Sequence, residues 1–225
     1  MKVPRASIKT LVLLAIALAC LIPALHAPAA DPPRMSRAQA LAALKNADPQ
    51  ERRRGALGLG LMGRADDAPA LVAALRDSDD TVRTIAEEAL WTVWSRSGDA
   101  RIDELFKRGV SEMNAERLRE AIITFTKIIE LKPDFAEGWN KRATAYYLAG
   151  DYRRSLADCD EVIKRNPQHF GALSGYGQIY LRLDRPDKAL EYFRRALAVN
   201  PNLDGVPDLI ERLEELDVQR RRRTI

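Results

Sequence analysis

Pro133, Pro167 and Pro201 stand at intervals of 34 residues. A fixed period of that length, in a chain with no alternating apolar and polar strand pattern, confines the fold to an array of helix–turn–helix units. Each unit must bury its apolar face on the next. With proline at position 32, the units start at Ile102, Ala136 and Phe170. Position 8 then holds Gly109, Ala143 and Gly177, all small, where the two helices of a pair approach closely. Position 20 holds Ala121, Ser155 and Ala189, read as the small partners across that contact, and position 24 holds Phe125, Cys159 and Phe193, read as core side chains. Position 11 is Tyr146 and Tyr180, with Glu112 departing in the first unit.

The second unit carries Trp139, Ala143, Tyr146, Gly150, Asp151, Tyr152 and Pro167, and the third Gly177, Tyr180, Ala189, Phe193, Ala196 and Pro201. In these positions the chain resembles the tetratricopeptide repeat (TPR) family. The first unit lacks the Trp and Tyr and is degenerate. The resemblance implies three repeats over residues 98–201 and a concave groove lined by the first helix of each pair. Positions 2, 5, 9 and 12 face that groove in the family. They fall on Asp103, Phe106, Val110 and Met113, then Glu137, Asn140, Thr144 and Tyr147, then Gly171, Ser174, Gln178 and Leu181. Asn140 is the strongest single candidate, since a central amide offers a peptide backbone both a donor and an acceptor. Tyr147 adds aromatic area with a polar tip. Phe106 and Val110 stand where the family's carboxylate-clamp form has Lys and Asn, so an EEVD-type chaperone tail is not the expected ligand. An alternative remains open: Phe106, Val110 and Met113 are apolar because they pack on a neighbouring segment.

Upstream, Leu44, Asp48, Arg52 and Leu59 align with Leu75, Asp79, Arg83 and Leu90 at an offset of 31 residues. Each unit reads as a helix, an Asp-started turn and a second helix, with Asp48 and Asp79 as N-caps and Pro49 in a first turn. This stretch, 36–97, resembles short HEAT repeats. Trp91 and Trp94 are expected to join it to the first TPR in one continuous superhelix, with Ser97-Gly98-Asp99 at the boundary. Leu209, Ile210, Leu213 and Leu216 give a single apolar stripe for a capping helix over 202–219. A basic tail, 220–225, follows. The expected fold is an all-α helical-repeat solenoid, two HEAT-like units stacked on three TPR units plus that cap.

Lys2, Arg5 and Lys9 precede the apolar run Leu11–Ile22 and the small residues Ala27–Ala30. This is the pattern of a cleaved signal peptide over 1–29, with a linker at 30–35. Its apolar run is shorter than the roughly 20 residues that span a bilayer. Cleavage would remove three of the 36 basic residues and leave 33 against 32 acidic, so the basic balance belongs mostly to leader and tail. The expected location is periplasmic or secreted. Cys20, with Ala19 before it, leaves lipidation as the alternative.

Other motifs carry little chemistry. Gly58-Leu59-Gly60-Leu61-Met62-Gly63 fits a dinucleotide fingerprint but sits in a helical stretch with no strand before it. Helix packing or helix termination explains its glycines. His169 follows Pro167 in a turn with no second ligand at metal spacing, and is expected to be solvated. Cys159 is expected in the core. Arg52–Arg54 and Arg220–Arg223 have no stacking aromatics beside them, which argues against nucleic acid. The expected function is a non-catalytic scaffold binding a protein or peptide of the cell envelope, with no cofactor, no metal and no required membrane contact. The rival readings are a tethered assembly factor, held by lipid or by the Arg tail, and an enzyme built on scattered carboxylates.

Overall fold

The computed structural model describes residues 35–223, with side chains as far as Leu216. The expected leader, and the linker up to Arg34, lie outside the described residues. Helix starts follow the capping signals. Ser36 caps α1 (Arg37–Ala43), with Gln39 reaching back to close a capping box. Asp48 caps α2 (Pro49–Met62), with Pro49 at its first position. A 3-10 turn at Ala65–Asp67 leads into α3 (Ala68–Ala74), and Asp79 caps α4 (Asp80–Trp94). The 31-residue offset is kept by the helices, since α3 begins 31 residues after α1 and α4 31 after α2.

These four helices share a core of Leu59, Leu71, Leu75, Val82, Leu90 and Val93. Two arginines of α2 tie the units together. Arg52 makes two 2.7 Å bonds to Asp77, and Arg53 bonds Asp79 at 2.9 and 2.5 Å, while Arg54 meets only Glu51 at the surface. Gly58 and Gly60 lie where a side chain would press on Ala40 and Ala89, and Gly63 ends the helix. Close packing and termination therefore account for the glycine motif.

Asp79 serves twice, capping α4 through the Val82 N–H at 2.9 Å and pairing with Arg53. Its hydrogen bonds with Arg53 and the Val82 amide hold its carboxyl at about 2. An unfolded Asp titrates near 3.9. The folded value is the lower one, so this contribution is present above pH ~4 and lost as pH falls from ~4 to ~2. Asp79→Asn is therefore expected to flatten the slope of stability against pH in that window by up to about one proton. Urea unfolding at stepped pH measures it; an unchanged slope would contradict the assignment.

Downstream, three helix pairs repeat: α5 (Ala100–Asn114) with α6 (Leu118–Leu131), α7 (Ala136–Leu148) with α8 (Tyr152–Arg165), and α9 (Phe170–Arg182) with α10 (Pro186–Val199). The capping helix α11 (Val206–Arg223) buries Leu213 against Phe193 and Ala189. It was expected to end near Gln219 and continues to Arg223. The described chain is all-α, a helical-repeat solenoid, and none of its helices is long and apolar enough to cross a membrane.

Trp91 and Trp94, expected against the first 34-residue unit in a continuous superhelix, pack instead where the second unit meets the third. Trp94 stacks on His169 with ring centroids 4.5 Å apart, and Trp91 meets His169 and Phe170 edge-on at 5.7 and 5.1 Å. Gly171 leaves room for the Trp91 ring. Arg76 donates to the carbonyls of Val199 and Ala198, and Asn202 Nδ2 donates to Leu75 O at 2.7 Å. Phe170, Val199 and Leu203 complete the core of α1–α4. The N-terminal helices thus lie along the inter-repeat turns and reach the last unit.

Candidate functional site

Helices α7 and α9 bring Asn140, Thr144, Tyr147 and Gln178 around one pocket of about 100 Å³. Its floor is Ala143, Ser155, Cys159, Ala172, Gly175 and Ile179. The small residues at positions 8 and 20 of the second unit open this space. Polar groups in the floor are already bonded, with Ser155 Oγ donating to Ala143 O at 2.7 Å. Thr144 Oγ1 donates to Asn140 O, one turn back on the same helix, at 3.0 Å. Burial, with Asp158 and Asp160 alongside, pushes the Cys159 thiol up to about 12, so it is an apolar floor rather than a nucleophile. At the rim, Tyr147 Oη accepts a bond from Arg182 Nε at 3.2 Å.

Glu137 is not in the groove. It is buried, with Lys141 Nζ at 3.2 Å, His169 Nε2 at 2.8 Å and Asn140 Nδ2 at 3.1 Å from both carboxylate oxygens. His169 Nδ1 accepts the Ala172 N–H at 3.1 Å, so Nε2 carries the proton and donates to Glu137. Burial alone would raise the Glu137 carboxyl; the bond from His169, the Lys141 charge and the Asn140 amide outweigh it and hold the group below the usual carboxylate range. The cluster changes the reading of two residues. Asn140 has its donor committed to Glu137 and keeps its carbonyl for the pocket. His169, expected to be solvated, is fully buried. Its one sequence signal was Glu137, 32 residues earlier at position 2 of the same unit.

The remaining candidates scatter. Asp103 accepts Ser97 N–H at 2.8 Å and Ser97 Oγ at 2.6 Å, closing the boundary turn. Phe106 is buried edge-on to Phe125 and Phe135, and Val110 packs on the same cluster. Packing on neighbours, the alternative left open above, describes both. Ser174 Oγ is buried without a partner. Sequence reasoning missed Ala172, Gly175 and Ile179 in the pocket floor; the available signal was a glycine at 175 inside a helix, where no turn needs one. Among the described residues, no group of three or more His, Cys, Asp or Glu side chains is placed to hold a metal ion.

Helix pairs repeating every 34 residues, with their first helices lining a shared pocket, define a helical-repeat solenoid. The sequence model of the tetratricopeptide repeat matches residues 106–161 and 140–204, which identifies TPR repeats in that part of the chain. It is 35% identical over 122 residues to the TPR repeat-containing protein RHE_CH03534.1 of Rhizobium etli, covering 54% of this chain and 59% of that protein. It is 26% identical to Hsp70-Hsp90 organizing protein 1 of Glycine max, over 50% of this chain and 20% of that one. The chain thus spans less than two thirds of the length of either relative. Among solved structures, the first TPR of Spaghetti (RPAP3), bound to the HSP90 peptide SRMEEVD, aligns at 21% identity with TM-score 0.51, covering 53% of this chain and 96% of that one. The Sgt2 TPR domain of Aspergillus fumigatus aligns at 19% identity and TM-score 0.52, covering 55% and 83%. At such identities the likeness is one of fold. Proteins of this repeat family are typically non-catalytic adaptors.

Proposed function

We propose that the chain is a non-catalytic adaptor that binds an extended segment of a partner protein and takes one uncharged side chain into the α7–α9 pocket. The observation that carries this is the pocket itself. It has the size of an aliphatic side chain, an apolar floor with its polar groups satisfied, and a rim where the Asn140 carbonyl and the exposed Gln178 amide can meet a peptide backbone. The EEVD-type ligand of the clamp is not proposed, because Phe106 and Val110 occupy the clamp positions and pack inward. The pattern of residues 1–29 supports export, which makes the partner a cell-envelope protein. The 31-residue offset supports a HEAT-like assignment for 36–97. Tethering through Cys20 or Arg220–Arg223 is the second reading, separated by the mass of the exported chain, since lipid on Cys20 adds acyl mass.

Gly175 gives the test. A Cβ there would meet only Cys159 Sγ, at 3.9 Å, so Gly175→Leu places its side chain in the pocket. Capture from an envelope extract is expected to yield a partner with the unchanged chain and at least about tenfold less with Gly175→Leu. Thermal stability should hold or rise, since replacing a mid-helix glycine gains up to about 1 kcal/mol. Equal capture by both would remove the pocket from the function.

A further inference from the structure

A second hollow, of about 590 Å³, lies between α4 and α5. It lies outside the α7–α9 pocket and shares no residue with it. Its walls include Trp91 and Phe106, and its rim Thr92, Ser95, Arg96, Asp103 and Lys107. Trp91 is fixed on one side by His169, Phe170 and Gly171, with Lys141 Nζ 5.8 Å from its ring centre. The half-buried remainder of the indole borders the hollow.

On the rim two cations, Arg96 and Lys107, face one carboxylate, Asp103. Two Ser97 donors engage that carboxylate. Arg96 donates to the carbonyls of Gly60 and Gly63, which orient the guanidinium without neutralising it. Lys107 has Glu104 at 3.8 Å along its own helix, an exposed pair of the kind that holds neither partner firmly. Two cations around an aromatic-walled hollow suit an aromatic ring with a carboxylate close by: the ring gains apolar and aromatic contact, and the carboxylate gains charge-assisted bonds.

We propose that the α4–α5 hollow is a second subsite, taking an aromatic side chain of a peptide ligand whose neighbouring carboxylate is read by Lys107 and Arg96. This rests on the peptide-receptor reading above but uses different residues. The probe is N-acetyl-L-phenylalanine, compared with N-acetyl-L-phenylalaninamide, which has the same ring and no carboxylate. In NMR titrations of the chain, the Trp91 indole N–H, assigned with Trp91→Phe, should shift saturably with the acid at a Kd of about 1 mM. The amide should bind about fivefold more weakly, a difference of about 1 kcal/mol. Lys107→Gln should shrink that difference at least twofold while the spectrum keeps its folded dispersion. No saturable shift at about 20 mM, equal binding of acid and amide, or shifts confined to Asn140 and Gln178 would each overturn the subsite. The last result would leave the α7–α9 receptor standing. Trp91 shifts alongside unimpaired capture by Gly175→Leu would leave the subsite and remove the receptor pocket.

Discussion

Replacing His169 with alanine is expected to lower the stability of the chain by about 3–5 kcal/mol at neutral pH. Three losses combine. The buried Glu137 carboxylate loses its 2.8 Å donor, and hydrogen bonds to charged groups contribute about 1.5–3 kcal/mol. The Ala172 N–H at the start of α9 loses its cap, usually about 1 kcal/mol. The imidazole stacked on Trp94 leaves a cavity between the N-terminal helices and the third repeat. These terms overlap, so the sum is smaller than its parts. The pH profile tests the electrostatic share. Glu137 is held below the usual carboxylate range in the folded chain, so its contribution is present above the unfolded value near 4.3 and fades as pH falls through the folded one. Without His169 the carboxyl loses a bond that lowers it, so the loss on acidification should begin at higher pH. Urea unfolding between pH 3 and 7 measures both effects. His169→Gln, which can keep a donor, should recover part of the loss at pH 7. A loss below about 1 kcal/mol would mean that the aromatic seam does not hold the two segments together.

That seam is the part of the fold that sequence could not show. The repeat arithmetic reaches only neighbours: position 8 against position 20 of the same unit, one unit against the next. It located the helix pairs and most of the core, including Phe125, Cys159 and Phe193, which are buried. The contact of Trp94 with His169 joins residues 75 apart, and no period reports it. Placing the Trp pair on the first unit followed nearest-neighbour logic, and it failed because the indoles pack on His169 and Phe170 instead. The pocket was half legible. Asn140, Thr144, Tyr147 and Gln178 could be placed together because the resemblance implies that positions 5, 9 and 12 face the groove. The donor state of Asn140 was hidden, since it depends on the rotamer of Glu137 one turn away. The same holds for Asp103: the resemblance implied its facing, and its hydrogen bonds to Ser97 were hidden.

Gly177→Ala is expected to destabilise the chain by about 2–3 kcal/mol, the reverse of what alanine does in an ordinary helix. A Cβ at 177 would lie 2.5–2.7 Å from three ring atoms of Phe193, which is fully buried and has nowhere to retreat. Overpacking of this kind costs typically about 1–3 kcal/mol, occasionally more, and outweighs the gain of up to about 1 from helix propensity. The repeats themselves carry the argument. The first unit pairs Gly109 with Phe125 in the same way, with ring atoms 2.7–3.2 Å from the missing Cβ. The second unit has a methyl at that position, Ala143, and there the residue at position 24 is the smaller Cys159. Size at position 8 is thus traded against size at position 24, and the second unit's smaller pair is what leaves room for the α7–α9 pocket. A double-mutant cycle reads the trade directly. With Phe193→Leu as partner, Gly177→Ala should lose at least about 1 kcal/mol of its penalty, because the shorter side chain vacates the space the methyl needs. Gly175→Ala, two residues away in the same helix, is the internal control and should be neutral or stabilising. Strict additivity of the two substitutions would refute the trade, and position 8 would then be small because of the backbone of the facing helix.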